Sequence, residues 1–499
     1  MYLLGYDIGS SSVKVALVQA STGRAVGMAQ YPEQEMVIAA PQPDWAEQNP
    51  VDWWEAACMA TRLLLDKTAI PVQQIAGIGI AYQMHGLVAV SKTGAVLRPS
   101  IIWCDSRAVR IGDQAFKALG PSYCLENYLN TPGNFTASKL RWVRENEPDI
   151  FAQIDKIMLP GDYLAYRMTG EICTTITGLS EGVFWNFRKN EVAEALLTHY
   201  EIPKGMLPPI VPVFGIQGKL TAESAQALGL PAGIPISYRA GDQPNNALAL
   251  NVLRPGEIAA TGGTSGVVYA VTATPKFDPL MRVNSFAHVN YSKENPLTGV
   301  LLCINGAGSA YRWVRQAMGG QDLLYEALEQ MAANVAVGSD GLTVLPFGNG
   351  AERMLGNQNP GATFAGLQFN RHEPRHFYRA VLEGIAFSFV HGVEVIRSMG
   401  IPVELLRVGN DNLFQSAIFS TTIATLLGAN IEVMSTSGAV GAAKAAGVGV
   451  GIYPNIEAAM ENVEVVRRYL PEKSTGAYEQ AFERWKLLLQ NNSQNITSA

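Results

Sequence analysis

The same short pattern occurs twice in the chain, and it constrains the fold more than any other feature. In "YDIGSSSVKVALV" a strand meets a turn of small polar residues, Gly9 to Ser12, and continues as a second strand. In "EIAATGGTSGVVYAV" the arrangement recurs, so that Thr261 takes the place of Asp7, 254 positions later. A repeat of this spacing in a chain of 499 residues predicts two domains of similar build.

The elements around both copies alternate between strands and helices. In the first half, three strand segments ("YLLGY", "VKVALV" and "AVGMAQ") predict an antiparallel meander, followed by a helix that Asn49 caps and Pro50 starts. In the second half, a long helix ends at Gly400 and a helix rich in small residues starts at Ser437. This alternation predicts an α/β fold class. We expect three segments: a first domain at 1–247, a second domain at 248–490 and a frayed tail at 491–499.

Composition and charge exclude several classes of function. The chain is 48% hydrophobic and 16% charged, and its net charge of −6 comes from 37 basic and 43 acidic residues without a block of one sign. This balance argues against a nucleic-acid partner, because nucleic acids are bound by clustered basic residues. The five cysteines are scattered and form no C-x-x-C pair, which is typical of a reducing compartment. Without a signal sequence or an apolar run of ~18 residues, the chain is predicted to be cytoplasmic and not bound to a membrane.

The repeated turns have the composition of a phosphate-binding site. Asp7 ends the first strand, and the small residues after it offer amides and hydroxyls that can surround an anion, while the carboxylate can reach the divalent metal of a nucleotide. One such turn is also typical of a plain hairpin. Two matching turns in matching domains favour phosphate binding, because they can hold one phosphate chain from both sides. No Walker A sequence, G-x-G-x-x-G turn or H-R-D loop accompanies them in the sequence.

A further carboxylate, Asp242, stands in "ISYRAGDQPNN" at the end of a strand and close to the start of a helix. It can cap that helix or act as a general base. An aspartate of ordinary pKa, ~3.9, is a weak base for a hydroxyl, but phosphoryl transfer asks for little basicity before the transition state. In contrast, "RHEPRH" matches the zinc pattern H-E-x-x-H only in letters, because Pro374 argues against a continuous helix and predicts the first turn of the helix that follows.

The stretch 79–90, "GIAYQMHGLVAV", is apolar at both ends and polar in the middle. Alone it is typical of a strand-to-strand turn whose histidine is satisfied in the core. Beside two phosphate turns and a candidate base, it predicts the part of the site that recognises an acceptor. There, a neutral His85 would exchange one hydrogen bond with a sugar hydroxyl, and Met84 would give an adaptable apolar wall.

Six segments resemble, in their order along the chain, the FGGY carbohydrate kinases of the sugar kinase, heat-shock protein and actin superfamily. They are "DIGSSSVK", "YQMHG", "WCDSR", "AGDQPNN", "TGGTSG" and "PFGNGAER". The resemblance implies two ribonuclease-H-like domains that face a central cleft, ATP and Mg²⁺ as cofactors, a small sugar as partner, and a homodimer. Met84 and His85 stand where glycerol-specific members carry an Arg-Glu pair, which favours a ketopentose, with D-xylulose as the expected acceptor.

The resemblance also implies a role for individual residues. Asp242 matches the catalytic base, and Asp7 matches the residue that faces Mg²⁺, directly or through water. The sugar side is expected to comprise Gln83, Met84, His85, Trp103, Asp105 and Gln243. The nucleotide side is expected to comprise Gly9, Ser10, Ser11, Ser12, Lys14, Gly263, Thr264, Ser265, Gly306, Gly409, Asn410 and Asn412.

One segment departs from the family pattern. Relatives usually carry a run of glycines before the helix that supports adenosine, whereas here Gly409 is followed by Asn410, Asp411 and Asn412. The segments "INGAGSAY" and "STSGAVGAAKAAG" suit a nucleotide cleft and close helix packing equally. The sequence leaves three alternatives open: a kinase for ribulose, gluconate or glycerol, an actin-like nucleotide switch without a small acceptor, and an inactive scaffold.

Overall fold

The computed structural model describes the backbone of residues 1–498 and the side chains of residues 1–494. The strands of the first half are β1 (Tyr2–Ile8), β2 (Val13–Gln19), β3 (Arg24–Tyr31), β4 (Glu47–Gln48), β5 (Ile75–Tyr82), β6 (Val88–Val90), β7 (Ser100–Ile101), β8 (Lys156–Met158), β9 (Trp185–Asn186), β10 (Glu191–Val192) and β11 (Ile236–Gly241). Its helices are α1 (Pro50–Thr68), α2 (Val109–Leu119), α3 (Pro121–Tyr128), α4 (Thr136–Asn146), α5 (Pro148–Phe151), α6 (Pro160–Thr169), α7 (Ile176–Glu181), α8 (Glu194–Tyr200), α9 (Ala222–Leu228) and α10 (Asp242–Ala249).

The second half has fewer strands and longer helices. The strands are β12 (Glu257–Gly262), β13 (Gly266–Thr272), β14 (Asn284–Ala287), β15 (Thr298–Ile304), β16 (Thr343–Phe347), β17 (Gly361–Ala365), β18 (Leu405–Gly409), β19 (Asn430–Met434) and β20 (Val465–Tyr469). The helices are α11 (Gly308–Ala317), α12 (Tyr325–Ala333), α13 (Pro374–Ser398), α14 (Ala417–Leu427), α15 (Gly438–Gly449), α16 (Ile456–Met460) and α17 (Gly476–Ser498). Short 3-10 turns include Arg353–Leu355 and Asn412–Gln415.

The two large sheets repeat one topology. In the first, β3, β2 and β1 form an antiparallel meander, and β5 and β11 continue the sheet parallel to β1. In the second, β15, β13 and β12 form the meander, and β18 and β19 continue it in parallel, with β14 and β20 added at the edges. The shared five-strand order confirms the α/β fold class with two ribonuclease-H-like sheets. It also places the turn after β1 and the turn after β12 at equivalent points of the two sheets.

Helix α15 belongs to the second half of the chain but packs on the first sheet. It lies across β1, β2, β5 and β11. A Cβ at Gly5 of β1 would lie 1.9 Å from the carbonyl oxygen of Ala439, and one at Gly79 of β5 would lie 2.0 Å from that of Ala442. Backbones this close leave room only for glycine opposite the small residues of the helix. Close packing therefore accounts for the composition of "STSGAVGAAKAAG".

Local signals in the sequence mark several helix ends correctly. The Asn49 side chain accepts a hydrogen bond from the Val51 amide at 3.2 Å, and Pro50 is the first residue of α1. Pro374 starts α13, so the H-E-x-x-H letters straddle the start of a helix. Helix α17 continues to Ser498, where a frayed tail is expected; residue 499 lies outside the described residues. Over residues 1–498, no helix is both long and apolar enough to cross a membrane.

The two halves also touch at the edge strand β14. The Asn130 side chain donates to the Ser285 carbonyl at 2.6 Å and accepts from the Ser285 amide at 3.0 Å. Two residues further along β14, the Ser180 hydroxyl accepts from the Ala287 amide at 2.8 Å. These bonds fix the edge of the second sheet against the helical region of the first half, and a buried apolar cluster continues through the contact. The ends of β1, β5, β11 and β12 lie near this contact.

Candidate active site

Two carboxylates meet where the first sheet ends. Asp7 is the last residue but one of β1, and its Oδ2 would lie 2.4 Å from a Cβ on Gly438, the first residue of α15. Asp242 is the first residue of α10, and hydrogen bonds from the backbone and the side chain of Gln243 favour its ionised form. Burial, together with the charge of Asp7, raises the pKa of Asp242 to about 7. Burial also raises the pKa of Asp7, opposed by Lys14, its neighbour across the β1–β2 ladder. Negative charge is therefore concentrated at one end of the cleft.

The first turn, residues 9–12, is held by hydrogen bonds within its own backbone and by bonds from Met36 and Gln48, which follow β3 in the chain. The Gly9 amide donates to the Ser12 carbonyl at 3.0 Å, and the Ser11 carbonyl accepts from the Met36 amide. The Ser10 carbonyl accepts from the Gln48 side chain at 2.7 Å, and its hydroxyl lies 3.5 Å from the indole N–H of Trp103. The predicted sugar-side tryptophan thus touches the predicted phosphate turn.

The second turn, Gly263, Thr264 and Ser265, joins β12 to β13 and meets the start of α11. The Gly308 amide donates to the Gly263 carbonyl at 3.0 Å, and the Ser309 amide donates to the Thr264 carbonyl at 3.1 Å. A Cβ on Gly308 would lie 2.4 Å from that Gly263 oxygen, so only glycine fits there. The segment "INGAGSAY" thereby supports the turn.

The atypical segment after β18 lies beside this second turn. Asn412 has a left-handed backbone, with φ 52°, and its amide nitrogen would lie 4.0 Å from a Cβ on Gly263. The Asn410 amide donates to the Met434 carbonyl at 3.2 Å, which ties the end of β18 to β19. Gly409 and Asn410 therefore stay next to the turn. Close packing accounts for the glycine at position 306, because a Cβ there would lie 1.8 Å from the Pro346 carbonyl oxygen.

The polar interruption at 82–86 separates two sheets rather than two parts of one strand. β5 ends at Tyr82, while β6 pairs with β8 in a separate two-stranded sheet. Between them, His85 has a left-handed backbone with φ 63°. This conformation is uncommon for a residue other than glycine, asparagine or aspartate, and it turns the imidazole towards the second half of the chain.

The hydrogen bonds of His85 fix its tautomer. Nδ1 lies 2.8 Å from the Glu181 carbonyl oxygen, and because a carbonyl can only accept, Nδ1 carries the proton. Burial, with a smaller effect of the Lys139 charge, lowers the pKa of His85 to about 3, although the bond to Glu181 opposes the shift. The imidazole is therefore neutral, with Nε2 as a hydrogen-bond acceptor.

Apolar groups from both halves surround this imidazole. The Phe135 ring stands edge-on to it with ring centres 4.8 Å apart, and Phe286 of β14 lies 5.2 Å away. Met84 is buried, and its Cγ would lie 2.6 Å from a Cβ on Gly241, directly before Asp242. His85 and Met84 thus lie near the strand end that carries Asp242, and Gln243 follows Asp242 in the first turn of α10.

Two predicted sugar-side residues are buried and make hydrogen bonds within the protein, although the side-chain oxygen of Gln83 has no partner among the described residues. Asp105 is fully buried and accepts from the Ala46 amide at 2.7 Å and from the forked guanidinium of Arg107. Gln83 is buried, and its amide nitrogen donates to the Gln48 side chain at 3.1 Å. Contact between Asp105 and the acceptor stays a prediction. In the structure, both its oxygens accept hydrogen bonds from the protein, and Asp105 positions the loop that carries Trp103, which is half exposed.

The structure adds three residues that sequence patterns do not assign. Glu181, the last residue of α7, is buried beside Gly241, and burial and the nearby Asp242 raise the pKa of its carboxyl well above the usual value. Lys139 is buried and donates to the carbonyls of His85 at 2.9 Å and Ile102 at 2.8 Å. Arg353 lies in the "PFGNGAER" segment. Glu181 and Lys139 belong to no motif, and only their positions in space mark them.

The match to known families agrees with this geometry. The N-terminal domain of the FGGY family of carbohydrate kinases matches residues 2–249, and the C-terminal domain of the same family matches residues 258–450. The chain belongs to the FGGY family of carbohydrate kinases. It is therefore a carbohydrate kinase, a phosphotransferase, and kinases of this family use ATP as the phosphate donor.

Relatives of this kinase align along most of its length. It is 29% identical to the xylulose kinase of Escherichia coli K12, with 98% of this chain and 99% of the relative covered. It is 30% identical to the xylulose kinase of Klebsiella pneumoniae, with 82% and 81% covered. The crystal structure of xylulose kinase from Rhodospirillum rubrum superposes with a TM-score of 0.88 at 27% identity and covers both chains fully, at 100% each.

Proposed function

We propose that this kinase transfers the γ-phosphoryl group of ATP to the C5 hydroxyl of D-xylulose, with Asp242 as general base. Two features support the proposal together. Relatives named xylulose kinase align with almost the whole chain. In the structure, the carboxyl of Asp242 has a pKa near neutrality, and the neutral imidazole of His85 lies near the strand end that carries it. The proposed chemistry depends on one observation, the raised pKa of the Asp242 carboxyl.

Asp242 is suited to accept the proton of the attacking hydroxyl. As the sugar oxygen bonds to the γ-phosphorus, the bond from that phosphorus to the β–γ bridging oxygen breaks, and ADP leaves with the electron pair. The hydroxyl proton passes to Asp242. With its pKa raised to about 7, the carboxylate is a stronger base than an ordinary aspartate and remains partly ionised at neutral pH.

Positioning contributes more to the rate than proton transfer. Holding the hydroxyl in line with the phosphoryl group can contribute ~7–11 kcal/mol, whereas a general base typically gives ~10²–10⁴-fold, or about 3–5 kcal/mol. His85 and Met84 would hold the acceptor, and Trp103 and Gln243 would flank it. Closure of the two halves would exclude water and limit ATP hydrolysis without a sugar.

The two turns are proposed to hold the phosphates of ATP from opposite sides. Residues 9–12 with Lys14 would serve one side, and residues 263–265 with Asn412 the other. The carboxylates of Asp7 and Asp242 leave negative charge unbalanced at this point, which suits a divalent cation. Asp7 would hold Mg²⁺, directly or through water. Mg²⁺ bound there would offset the charge of the phosphates.

The proposal is tested by substitution and by a panel of acceptors. Asp242→Asn is expected to retain sugar binding and to lower turnover by ~10²–10⁴. Asp322→Asn, at an exposed position, is the matched control and is expected to behave as the wild type. ADP release is measured with D-xylulose, ribulose, gluconate and glycerol. Near-normal turnover in Asp242→Asn would remove the base assignment, and ATP hydrolysis indifferent to any sugar would favour a nucleotide switch.

A further inference from the structure

One buried lysine connects the two segments that are proposed to hold the acceptor. Lys139 lies in α4 and is fully buried. Its ammonium donates one hydrogen bond to the carbonyl of His85 at 2.9 Å and another to the carbonyl of Ile102 at 2.8 Å. His85 belongs to the turn at 82–86, and Ile102 directly precedes Trp103. A single side chain therefore spans two segments that are distant along the chain.

The bonding of Lys139 is unusual for a buried charge. Buried lysines are almost always paired with a carboxylate, but no ion pair of Lys139 is formed with any residue whose side chain is described. Burial lowers the pKa of Lys139 to about 7, although the charge of Asp105 opposes the shift. Burying an ammonium costs free energy, and an apolar side chain of similar size is often neutral or stabilising in such a place. The specific contribution of Lys139 therefore lies in the two carbonyls that it holds.

The bond to the His85 carbonyl acts on an uncommon backbone conformation. His85 is left-handed, with φ 63°, and such a conformation persists where contacts with the surrounding structure hold it. Two contacts do so here. Lys139 binds the main-chain carbonyl, and the Glu181 carbonyl binds Nδ1 of the imidazole at 2.8 Å. With both the backbone and the ring held, Nε2 keeps a fixed direction.

The bond to the Ile102 carbonyl acts on the loop that carries Trp103. The Ile102 amide donates to the Ala46 carbonyl at 3.1 Å, so this residue is held at both its amide and its carbonyl. Trp103 follows, and its indole N–H lies 3.5 Å from the hydroxyl of Ser10 in the first phosphate turn. Lys139 thus links the turn that carries His85 with a loop that reaches the phosphate turn.

We propose that Lys139 is a positioning residue of the acceptor site, which fixes the turn at His85 relative to the Trp103 loop and thereby sets the KM for the sugar. This proposal rests on the proposed contact between His85 and the acceptor. Lys139 is fully buried and acts through His85. Its removal therefore matters only while the imidazole is present to bind the sugar.

A double-mutant cycle tests whether Lys139 acts through His85. Lys139→Met keeps a side chain of similar length without donors, and it is expected to raise the KM for D-xylulose by roughly 2- to 12-fold, the range for the loss of one neutral hydrogen bond to the sugar. The KM for ATP should stay within about 2-fold of wild type. In the double variant with His85→Asn, the sugar KM should lie within about 2-fold of the larger single effect, whereas independent effects would multiply. Lys139→Arg keeps the cation but not the position of its donors, and should recover part of the loss.

Lys276→Met is the matched control for the loss of a lysine that binds two carbonyls. Lys276 donates to the carbonyls of Met399 at 2.9 Å and Gly400 at 3.1 Å, and neither carbonyl belongs to the acceptor site. Both KM values should stay within about 2-fold of wild type in this variant. A selective rise in the sugar KM here would show that the measurement does not report on the acceptor site, and would overturn the proposal.

Equal rises of the two KM values in Lys139→Met, or effects that multiply with those of His85→Asn, would overturn the role of Lys139 alone. If Lys139→Met does not fold, Lys139→Arg decides: a rise in the sugar KM without a rise in the ATP KM supports the role, and any other result overturns it. A wild type that phosphorylates another sugar but not D-xylulose would overturn the proposed substrate, and the cycle is then measured with that sugar. A wild type that phosphorylates no sugar of the panel would overturn both proposals.

Discussion

Replacement of His85 by asparagine tests the neutral acceptor at the centre of the sugar site. Asparagine tolerates the left-handed backbone at this position, φ 63°, and its amide can still donate to the Glu181 carbonyl in place of Nδ1. It is too short to replace Nε2. His85→Asn therefore removes one acceptor and leaves the local structure intact. His85→Gln is the complementary variant, since its longer side chain brings an acceptor towards the position of Nε2.

The magnitude follows from one neutral hydrogen bond. Such a bond contributes about 0.5–1.5 kcal/mol, so the sugar KM should rise by roughly 2- to 12-fold in His85→Asn. The KM for ATP should stay within about 2-fold, because the contacts of His85 are with Glu181, Lys139 and two phenylalanine rings and not with either phosphate turn. Steady-state kinetics with each substrate varied in turn measures both constants. Equal rises in the two constants would refute the role of His85 in the acceptor site.

The same variant tests the protonation state. With a pKa of about 3 in place of the ordinary 6.5, His85 does not titrate near neutral pH. The ratio of sugar KM values, variant over wild type, should stay constant between about pH 7.5 and about pH 5.5, and the ratio cancels titration elsewhere. An ordinary imidazole would change that ratio by about 10-fold over this range. Such a change, or a nitrogen-15 histidine spectrum with the proton on Nε2, would refute the reasoning.

Two further predictions concern glycines at close approaches. Gly438→Ala would place a Cβ 2.4 Å from Asp7 Oδ2, and the displaced carboxylate should lower kcat by ~10²-fold; an unchanged kcat would contradict the role of Asp7. Gly79→Ala would place a Cβ 2.0 Å from the Ala442 carbonyl oxygen, and the free energy of unfolding should fall by about 1–3 kcal/mol or more. Thermal melting measures this loss against Gly205→Ala, where nothing lies within 4 Å; equal melting temperatures would contradict the packing argument.

The elements of the fold follow from the sequence where local signals are strong. Neighbouring residues determine the start of α1 at Asn49 and Pro50, the start of α13 at Pro374 and the repeated turns. These features can therefore be predicted from the sequence. The placement of α15 cannot be read in this way. Its small residues suit several partners, and only the three-dimensional contact with Gly5 and Gly79 identifies the first sheet as the partner.

Some residues of the site can likewise be predicted from the sequence, whereas others are identified only by the structure. The turns around Asp7 and Gly263 are identified by their repetition, which is a property of the sequence. The ion pair of Asp105 with Arg107 is visible only in the structure, because the sequence does not say which groups of this motif face each other and which face the acceptor. Glu181 and Lys139 escape notice because each contacts His85 from a distant segment, which leaves no pattern along the chain. The Glu181 carbonyl accepts from Nδ1 of the imidazole, and the Lys139 ammonium donates to the His85 carbonyl.

The packing of α15 on the first sheet limits how the chain can be divided into fragments that fold. A fragment that ends near residue 247 would leave the glycine-lined face of β1 and β5 uncovered, because residues 438–449 supply its cover. The complementary fragment would carry α15 with no sheet to pack on. The two halves are therefore alike in topology but are not independent units of folding, and fragment reassembly would depend on this one helix finding its sheet in the other piece.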